Sequence, residues 1–195
     1  AKTLFPYTTL FRSGMFLTTD LSTQIGTFAL LPQIVQAVKV PVIAAVNGHA
    51  MGAGLDLACM CDIRIGTPRA KTGSTFVNLG IIPGDGGAWL LQRIIGFSKA
   101  AELTLTGETI NAAEALKIGL VSQVVPDAEL LDAARKLAAR IACNPSFAVR
   151  MAKRLIWEAQ SMSIGQVLEM SAAMQAVAHA TKDNAEAVNA FLEKR

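Results

Sequence analysis

The stretch PVIAAVNGHAMGAGLDLACMCDIRI, residues 41–65, indicates the fold of the chain. The apolar run at 40–46 is long enough for a strand buried on both faces, and Asn47-Gly48 supplies a turn that ends it. Glycines then flank Ala53, and the apolar segment that follows predicts a buried helix beginning near Gly54. The chain therefore passes from a buried strand through a glycine-rich turn into a helix N-terminus.

The start of this helix has the properties of an anion-binding site. The first N–H groups of a helix have no acceptor within the helix and carry the positive end of its dipole. Asp56 falls in the first turn, where a carboxylate is favoured and lies near any group that those N–H groups hold. Ten of the fifteen glycines lie between Gly48 and Gly96, which indicates close approach of backbone to a ligand at more than one turn.

Outward from this unit, short strands and helices follow one another. The pattern predicts a strand over 62–66, a turn over 68–73 and an extended segment over 74–81. Gly84-Asp85-Gly86-Gly87 opens a helix through Ile95 that Gly96 stops. Beyond these, we predict a helix capped by Asn111 with Glu114 and ended by Gly119, a strand over 121–125, a helix over 127–143, and helices capped by Ser163 with Gln166 and by Asp183 with Glu186.

The composition indicates a soluble domain with a sizeable core. The 195 residues are 52% hydrophobic and carry a net charge of +3. No basic cluster is interleaved with aromatic residues, so we expect no nucleic-acid partner. No apolar run approaches the ~20 residues of a membrane span, and we expect no membrane association and a cytoplasmic location. Cys59, Cys61 and Cys143 are too few for a disulfide framework and lack a second ligand pair, so we expect reduced core thiols and no metal.

Three motifs in order resemble the crotonase superfamily, the enoyl-CoA hydratase/isomerase family. They are residues 41–65, NLGIIPGDGG at 78–87, and LTGETINAAEALKIGLVSQVV at 105–125. The resemblance implies an α/β fold of the crotonase type, a superhelix of ββα units with a helical C-terminal region that packs subunits into a homotrimer or hexamer. It also implies an acyl-CoA thioester as substrate, with coenzyme A part of that substrate and no separate cofactor. In this family two backbone N–H groups hold the thioester oxygen while carboxylates move protons.

The resemblance predicts the site residue by residue. Gly52-Ala53-Gly54-Leu55-Asp56 matches the family motif GGGxE, so Ala53 and Gly54 are assigned to the oxyanion hole and Asp56 stands where hydratases carry a catalytic glutamate. Alanine keeps the N–H group, provided that its φ is negative or tolerably strained. His49 is either a polar wall of the site or a hydrogen-bonded spectator. We place in the substrate pocket His49, Met51, Gly52, Phe76, Pro83 and Gly84.

Phe76 departs from the family pattern. The second hydratase glutamate would stand at this position, and no glutamate occurs before Glu102. Hydration needs one carboxylate to activate water and an acid to deliver a proton, and phenylalanine can do neither. Its ring lines the acyl pocket or fills core. Asp85 is the candidate for a second catalytic acid or base, although an N-cap of the following helix is equally consistent with its position.

The chain divides into three parts. The segment PYTTLFRS at 6–13 resembles a translated sequencing adapter, and we predict that residues 1–13 are not native. Residues 14–126 are predicted to form a crotonase core that lacks its N-terminal part, and residues 127–195 a C-terminal helical oligomerisation region. Because a sheet that lacks strands exposes unpaired edges, we expect this chain alone to aggregate.

Two classes of function remain open. The first is an acyl-CoA enzyme that uses an oxyanion hole and Asp56, with hydration supported by Asp85 and single-base double-bond isomerisation ranked level. The second is a non-catalytic acyl-CoA-binding or scaffold homologue, motivated by Phe76.

Overall fold

The computed structural model describes residues 30–194, and the predictions made for residues 1–29 lie outside them. One compact unit contains Val42–Arg135 together with the described residues up to Val38. A second compact unit contains Lys39–Pro41 and the residues from Lys136 onward. No helix within the described range is long and apolar enough to cross a membrane.

Short strands alternate with helices through the first unit. The strands are β1 (Ile43–Val46), β2 (His49–Met51), β3 (Ile63–Gly66), β4 (Lys71–Gly73), β5 (Ile110–Asn111) and β6 (Gln123–Val124). The helices are α1 (residues 30–37), α2 (Ala53–Met60), α3 (Gly87–Ile95), α4 (Phe97–Thr106), α5 (Ala112–Lys117), α6 (Leu130–Ala142), α7 (Ser146–Glu158), α8 (Ile164–His179) and α9 (Lys182–Leu192). Short 3-10 helices span Thr75–Leu79, Asp127–Glu129 and Ala159–Ser161.

The strands form two small sheets. In the first, β3 pairs in parallel with β1 and with β6. In the second, β4 pairs in parallel with β2 and antiparallel with β5. The first strands of the first two ββα units, β1 and β3, thus share one sheet, and their second strands, β2 and β4, share the other. The predicted α/β fold of ββα units with a helical C-terminal region is confirmed.

The core lies around β1 and α2. All four residues of β1 are buried, as is α2 from Leu55 to Met60. A helix that is apolar on all sides is stable only when it is enclosed, which explains why the sequence GLDLACM lies inside the unit. Polar ties fix the strand ends: the Val42 N–H donates to Asp62 Oδ2 at 2.7 Å, and Arg64 Nε donates to the Leu120 carbonyl at 2.7 Å.

The structure corrects several predictions in the glycine-rich region. The prediction of a turn over 68–73 is wrong for its last three residues, because Lys71–Gly73 forms β4 and pairs with β2. The sequence had not indicated this pairing. The extended segment over 74–81 is wrong as well, since Thr75–Leu79 is a 3-10 helix. Helix α4 was not predicted. Three-residue strands show no periodicity of their own and form because a distant partner is available.

The capping predictions succeed where the cap is local. Ser163 and Gln166 form the predicted capping box of α8, and Asn111 accepts from the Glu114 N–H at 2.9 Å. Asp183 is not a cap, because α9 begins at Lys182 and Thr181 caps it. The helix expected over 127–143 starts as a 3-10 turn before α6. Cys143 is exposed, contrary to the expectation of a core thiol.

Candidate active site

The N-terminus of α2 presents backbone N–H groups without acceptors. Its N-cap, Gly52, has φ 52° and ψ −121°, a conformation that favours glycine. The Gly52 N–H donates to the Gly73 carbonyl at 2.8 Å, which ties this turn to β4. Among the described residues, the N–H groups of Ala53 and Gly54 donate no hydrogen bond. Ala53 does not have a positive φ, which satisfies the condition for alanine at this position.

Asp56 lies in the first turn of α2 and is enclosed by protein. The residue is only 1% exposed, and α2, the helix that carries it, packs against α3. With both aspartates ionised, neither carboxyl oxygen of Asp56 has a hydrogen-bond donor within residues 30–194. Moving an ionised carboxylate from water into such surroundings costs on the order of several kcal/mol of lost solvation. The surroundings of Asp56 therefore favour the protonated form of its carboxyl group.

Asp85 reaches the same place from the loop that precedes α3. It is 5% exposed, and its Oδ1 atom is buried without a hydrogen-bond partner in the described part of the chain. It is not the helix cap: Gly86 occupies that position with φ 94°, and no side chain caps the helix. The capping alternative for Asp85 is therefore wrong. Its carboxyl group instead lies within hydrogen-bonding reach of Asp56.

The two carboxyl groups share one proton. Burial, followed by a hydrogen bond with Asp85 and repulsion from its negative charge, raises the pKa of Asp56 to about 9. The Gly87 N–H opposes this rise in the pKa of Asp56, although its geometry falls short of a hydrogen bond. Two carboxylates have only acceptors, so a hydrogen bond between them needs a proton. The raised pKa of Asp56 favours the protonated form of its carboxyl group at neutral pH.

Phe76 forms an apolar wall at the N-terminus of α2. It is half-buried in the 3-10 helix after β4, and its ring lies 3.5 Å from the position that a Cβ atom would take at Gly52. The same 3-10 helix is held by Asn78, whose Nδ2 donates to the Gly107 carbonyl at 3.0 Å. The ring is thus fixed over the turn that carries the unpaired N–H groups.

The other pocket candidates lie around this centre. His49 is exposed on β2, and no hydrogen bond within the described residues links it to either aspartate. Met51 is half-buried and its Sδ accepts from Thr109 Oγ1 at 3.8 Å. Pro83 is half-buried and Gly84 exposed in the loop before α3. Their roles stay predictions.

Cys59 does not extend the chemistry of the site. Burial raises the pKa of its thiol to about 12, with Arg64 opposing and the charge of Asp56 adding to the rise. A thiol that stays protonated is a poor nucleophile and a poor metal ligand. Within residues 30–194, no cluster of three or more histidine, cysteine, aspartate or glutamate side chains is suited to a metal ion.

Gly87 was not singled out from the sequence, yet it contacts the carboxyl pair. It is the buried first residue of α3, and a Cβ atom placed on it would overlap the carboxyl group of Asp56. Gly86 already provides the positive φ that the turn needs, so the backbone conformation does not require a second glycine at position 87. That redundancy is the signal in the sequence that could have identified a close approach.

Comparisons with known proteins agree with this architecture. The sequence model of the family described as enoyl-CoA hydratase/isomerase matches residues 15–195. Crotonyl-CoA hydratase from Syntrophomonas wolfei is 43% identical over 163 residues, which cover 84% of this chain and 63% of that protein. Short-chain-enoyl-CoA hydratase from Clostridium acetobutylicum is 41% identical over 155 residues, covering 80% and 59%.

A solved structure shows the same fold. The crystal structure of enoyl-CoA hydratase from Bacillus anthracis superimposes with a TM-score of 0.88 at 38% identity, over 91% of this chain and 70% of that one. The chain spans about three-fifths of the length of the curated relatives it matches, with 63% and 59% covered. The family match includes Asp56, Asp85 and both glycine-rich helix starts. The chain belongs to the enoyl-CoA hydratase/isomerase family.

Proposed function

We propose that this protein, in its complete form, adds water to a 2-enoyl-CoA thioester, with Asp56 and Asp85 as its acid–base pair. The observation that carries the proposal is the burial of the two carboxyl groups side by side between α2 and α3. This pair supplies the second carboxyl group that Phe76 cannot. The substrate class is supported by two relatives, which are named crotonyl-CoA hydratase and short-chain-enoyl-CoA hydratase.

The unpaired N–H groups at the start of α2 suit the thioester oxygen. Ala53 and Gly54 are half-buried, so a ligand can reach them while bulk water is partly excluded. Negative charge develops on the thioester oxygen when water attacks the double bond, and a preorganised donor stabilises such charge by about 2.7–4 kcal/mol. In our proposal Ala53 provides one donor of the oxyanion hole.

The proton-sharing pair accounts for both proton transfers of hydration. In the proposed reaction the Asp85 carboxyl group takes a proton from water as the water oxygen bonds to the β-carbon, and the π electrons move onto the thioester oxygen. Protonated Asp56 then gives its proton to the α-carbon, which restores the carbonyl. Asp85 now holds the proton and Asp56 the charge, and transfer across their hydrogen bond resets the pair. Water is consumed and no other reagent is needed.

The alternatives lose their motivation in this arrangement. Isomerisation by a single base was ranked level with hydration because only one secure carboxylate was evident, and Asp85 lies within reach of that carboxylate. The non-catalytic interpretation depended on Phe76 as the place of the missing carboxylate. Since both carboxyl groups are enclosed, we propose that the acyl chain enters past the Phe76 ring to reach them.

The test is an assay of the longest natural form of the protein with 2-enoyl and 3-enoyl CoA thioesters in deuterated water, with product identification. We expect a 3-hydroxyacyl-CoA product, and a loss of about 10²–10⁴-fold in kcat for Asp85→Asn and for Asp56→Asn. Asp132→Asn is the matched control, because Asp132 is an exposed residue of α6 whose carboxylate pairs with Arg135 on the same helix. Bond migration or solvent exchange without hydroxylation, or full hydration by Asp85→Asn, would overturn the proposal.

We also propose that the complete protein is a homotrimer or hexamer. Large apolar side chains are exposed on α8 and α9, among them Ile164, Leu168 and Phe191, at 75%, 62% and 82%. Exposed apolar surface of this kind is typical of subunit interfaces. Sedimentation equilibrium gives the test: a monomer at micromolar concentration contradicts this assembly.

A further inference from the structure

Gly87 lies where the backbone of α3 meets the side chain of Asp56. It is buried, it begins α3, and its φ is not positive, so its conformation is open to any residue. The three atoms nearest to a Cβ placed on Gly87 are Oδ2, Cγ and Oδ1 of Asp56, all of which it would overlap. The requirement for glycine at this position therefore comes from the space that the Asp56 carboxyl group occupies.

Other helix-start glycines do not share this property. Gly165, the second residue of α8, also has an ordinary φ, and a Cβ on it would meet nothing within 4 Å. Gly54, the second residue of α2, is equally open. Close approach to a carboxyl group thus distinguishes Gly87 from glycines in a similar helical position.

We infer that Gly87 is a positioning residue whose missing side chain lets the Asp56 carboxyl group lie against Asp85. Because Asp85 precedes Gly87 by two residues, the same close approach of α3 that requires glycine also brings Asp85 to Asp56. A methyl group at position 87 would turn the Asp56 carboxyl group away or push α3 outward, and either movement separates the pair. The catalytic consequence rests on the proposed function, whereas the contact itself does not.

A thermal double-mutant cycle tests the contact without an assay of activity. In the longest natural form of the protein, Gly87→Ala is expected to lower Tm when residue 56 is aspartate and to leave Tm nearly unchanged in the Asp56→Ala background. Gly165→Ala is the control and should have the same small effect in both backgrounds. An equal loss of Tm for Gly87→Ala in both backgrounds would show a purely structural glycine and overturn the inference.

The cycle remains decisive if Gly87→Ala does not fold. Recovery of a folded protein on adding Asp56→Ala supports the inference, because the second change removes only the group that the methyl overlaps. Failure of the doubly substituted protein to fold, while Asp56→Ala alone folds, overturns it.

The infrared carbonyl band of a protonated carboxyl group reports the pairing directly. The spectrum of Asp56→Asn serves as the reference that identifies the Asp56 band at neutral pH. In the protein with Gly87, the substitution Asp85→Asn should shift this band. In the Gly87→Ala protein, the same substitution should leave the band in place. A shift of equal size in both proteins contradicts the positioning role. If the protein adds no water to any 2-enoyl-CoA, the proposed function fails, while the band and the Tm cycle still decide the role of Gly87.

Activity supplies a third readout where hydration occurs. We expect Gly87→Ala to lower kcat about tenfold or more with KM little changed, since it disturbs proton transfer and leaves the remainder of the pocket intact. An unchanged kcat in Gly87→Ala would overturn the inference.

Discussion

Two pairs of helices in the described part of this chain, α8 with α9 and α2 with α3, begin in different ways. Helix α8 starts at Ser163, whose N–H donates to Gln166 Oε1 at 2.8 Å while its hydroxyl accepts from the Gln166 N–H. At α9 the Thr181 hydroxyl accepts from the Asn184 N–H. Helices α2 and α3 instead start at Gly52 and Gly86, and no side chain caps either of them.

The first kind of helix start contributes to stability, whereas the second leaves groups available for chemistry. A side-chain cap satisfies the first N–H groups from within the local sequence, which stabilises the helix and leaves those groups nothing else to bind. A glycine start leaves N–H groups available and allows another part of the chain to come close. At α2 and α3 this freedom is used to expose two N–H groups and to enclose Asp56 with Asp85.

The largest effect at the glycine-started helices is expected from pH. Burial beside Asp85 raises the pKa of Asp56 from 3.8, its ordinary value, to about 9 in the folded chain. Between these values the folded state binds the proton and the unfolded state releases it. The stability contributed by this group is therefore full below 3.8 and is lost as pH rises towards about 9. The loss is on the order of a few kcal/mol.

The measurement is Tm as a function of pH, from about pH 5 to about pH 9. Tm should fall more steeply for the native sequence than for Asp56→Asn, which cannot titrate at this position. Titrating groups away from Asp56 and Asp85 are common to both proteins and cancel, so the difference between the two Tm curves reports the carboxyl pair. Parallel Tm curves would contradict the assignment of a proton to Asp56.

Gly52→Ala tests the turn that exposes the N–H groups. At φ 52° and ψ −121° an alanine is strained, and a non-glycine residue held in such a region costs about 1–3 kcal/mol. We expect a loss of this size in the free energy of unfolding by urea, together with a lower kcat because Ala53 follows directly. Gly165→Ala, in an open helical position, should be neutral or slightly stabilising. Equal effects of the two changes would mean that the Gly52 conformation is not required.

Much of the first unit could be predicted from the sequence because its signals are local. The apolar run before Asn47-Gly48 identified β1, the segment after Gly54 identified α2, and the glycines at 84–87 identified the start of α3. β2 and β4 escaped prediction because their strand character depends on pairing His49 with Lys71 and Met51 with Gly73. Such pairing joins segments about twenty residues apart and has no local pattern.

The site shows the same limit. Asp56 and Asp85 were both identified as candidates, but an aspartate next to a helix start has the same local sequence whether it caps the helix or faces a partner. The packing of α2 against α3 decides between these roles. For Gly87 the sequence offers only the redundant second glycine as a signal, because the Asp56 carboxyl group that excludes a side chain there lies on another helix.

Phe76→Ala tests the wall over the α2 start. Removing a half-buried ring should cost about 1 kcal/mol of stability, roughly half the value for full burial. Because the ring borders the proposed entry of the acyl chain, we expect KM to rise several-fold while kcat changes less. Phe97→Ala is the control, since that ring is 74% exposed at the start of α4. A KM as high in Phe97→Ala would remove Phe76 from the pocket.

Ser163→Ala tests the other side of the comparison and should have the smallest effect. It removes the capping box of α8, which is expected to lower the free energy of unfolding by about 1 kcal/mol and to leave kcat unchanged. Ser146→Ala is the matched control, because Ser146 begins α7 after the N-cap Pro145 and no side chain caps that helix. Urea unfolding of both variants gives the comparison. A fall in kcat for Ser163→Ala would show that side-chain-capped helices also act on the site, whereas a loss confined to stability keeps the chemistry with the helices that begin at glycine.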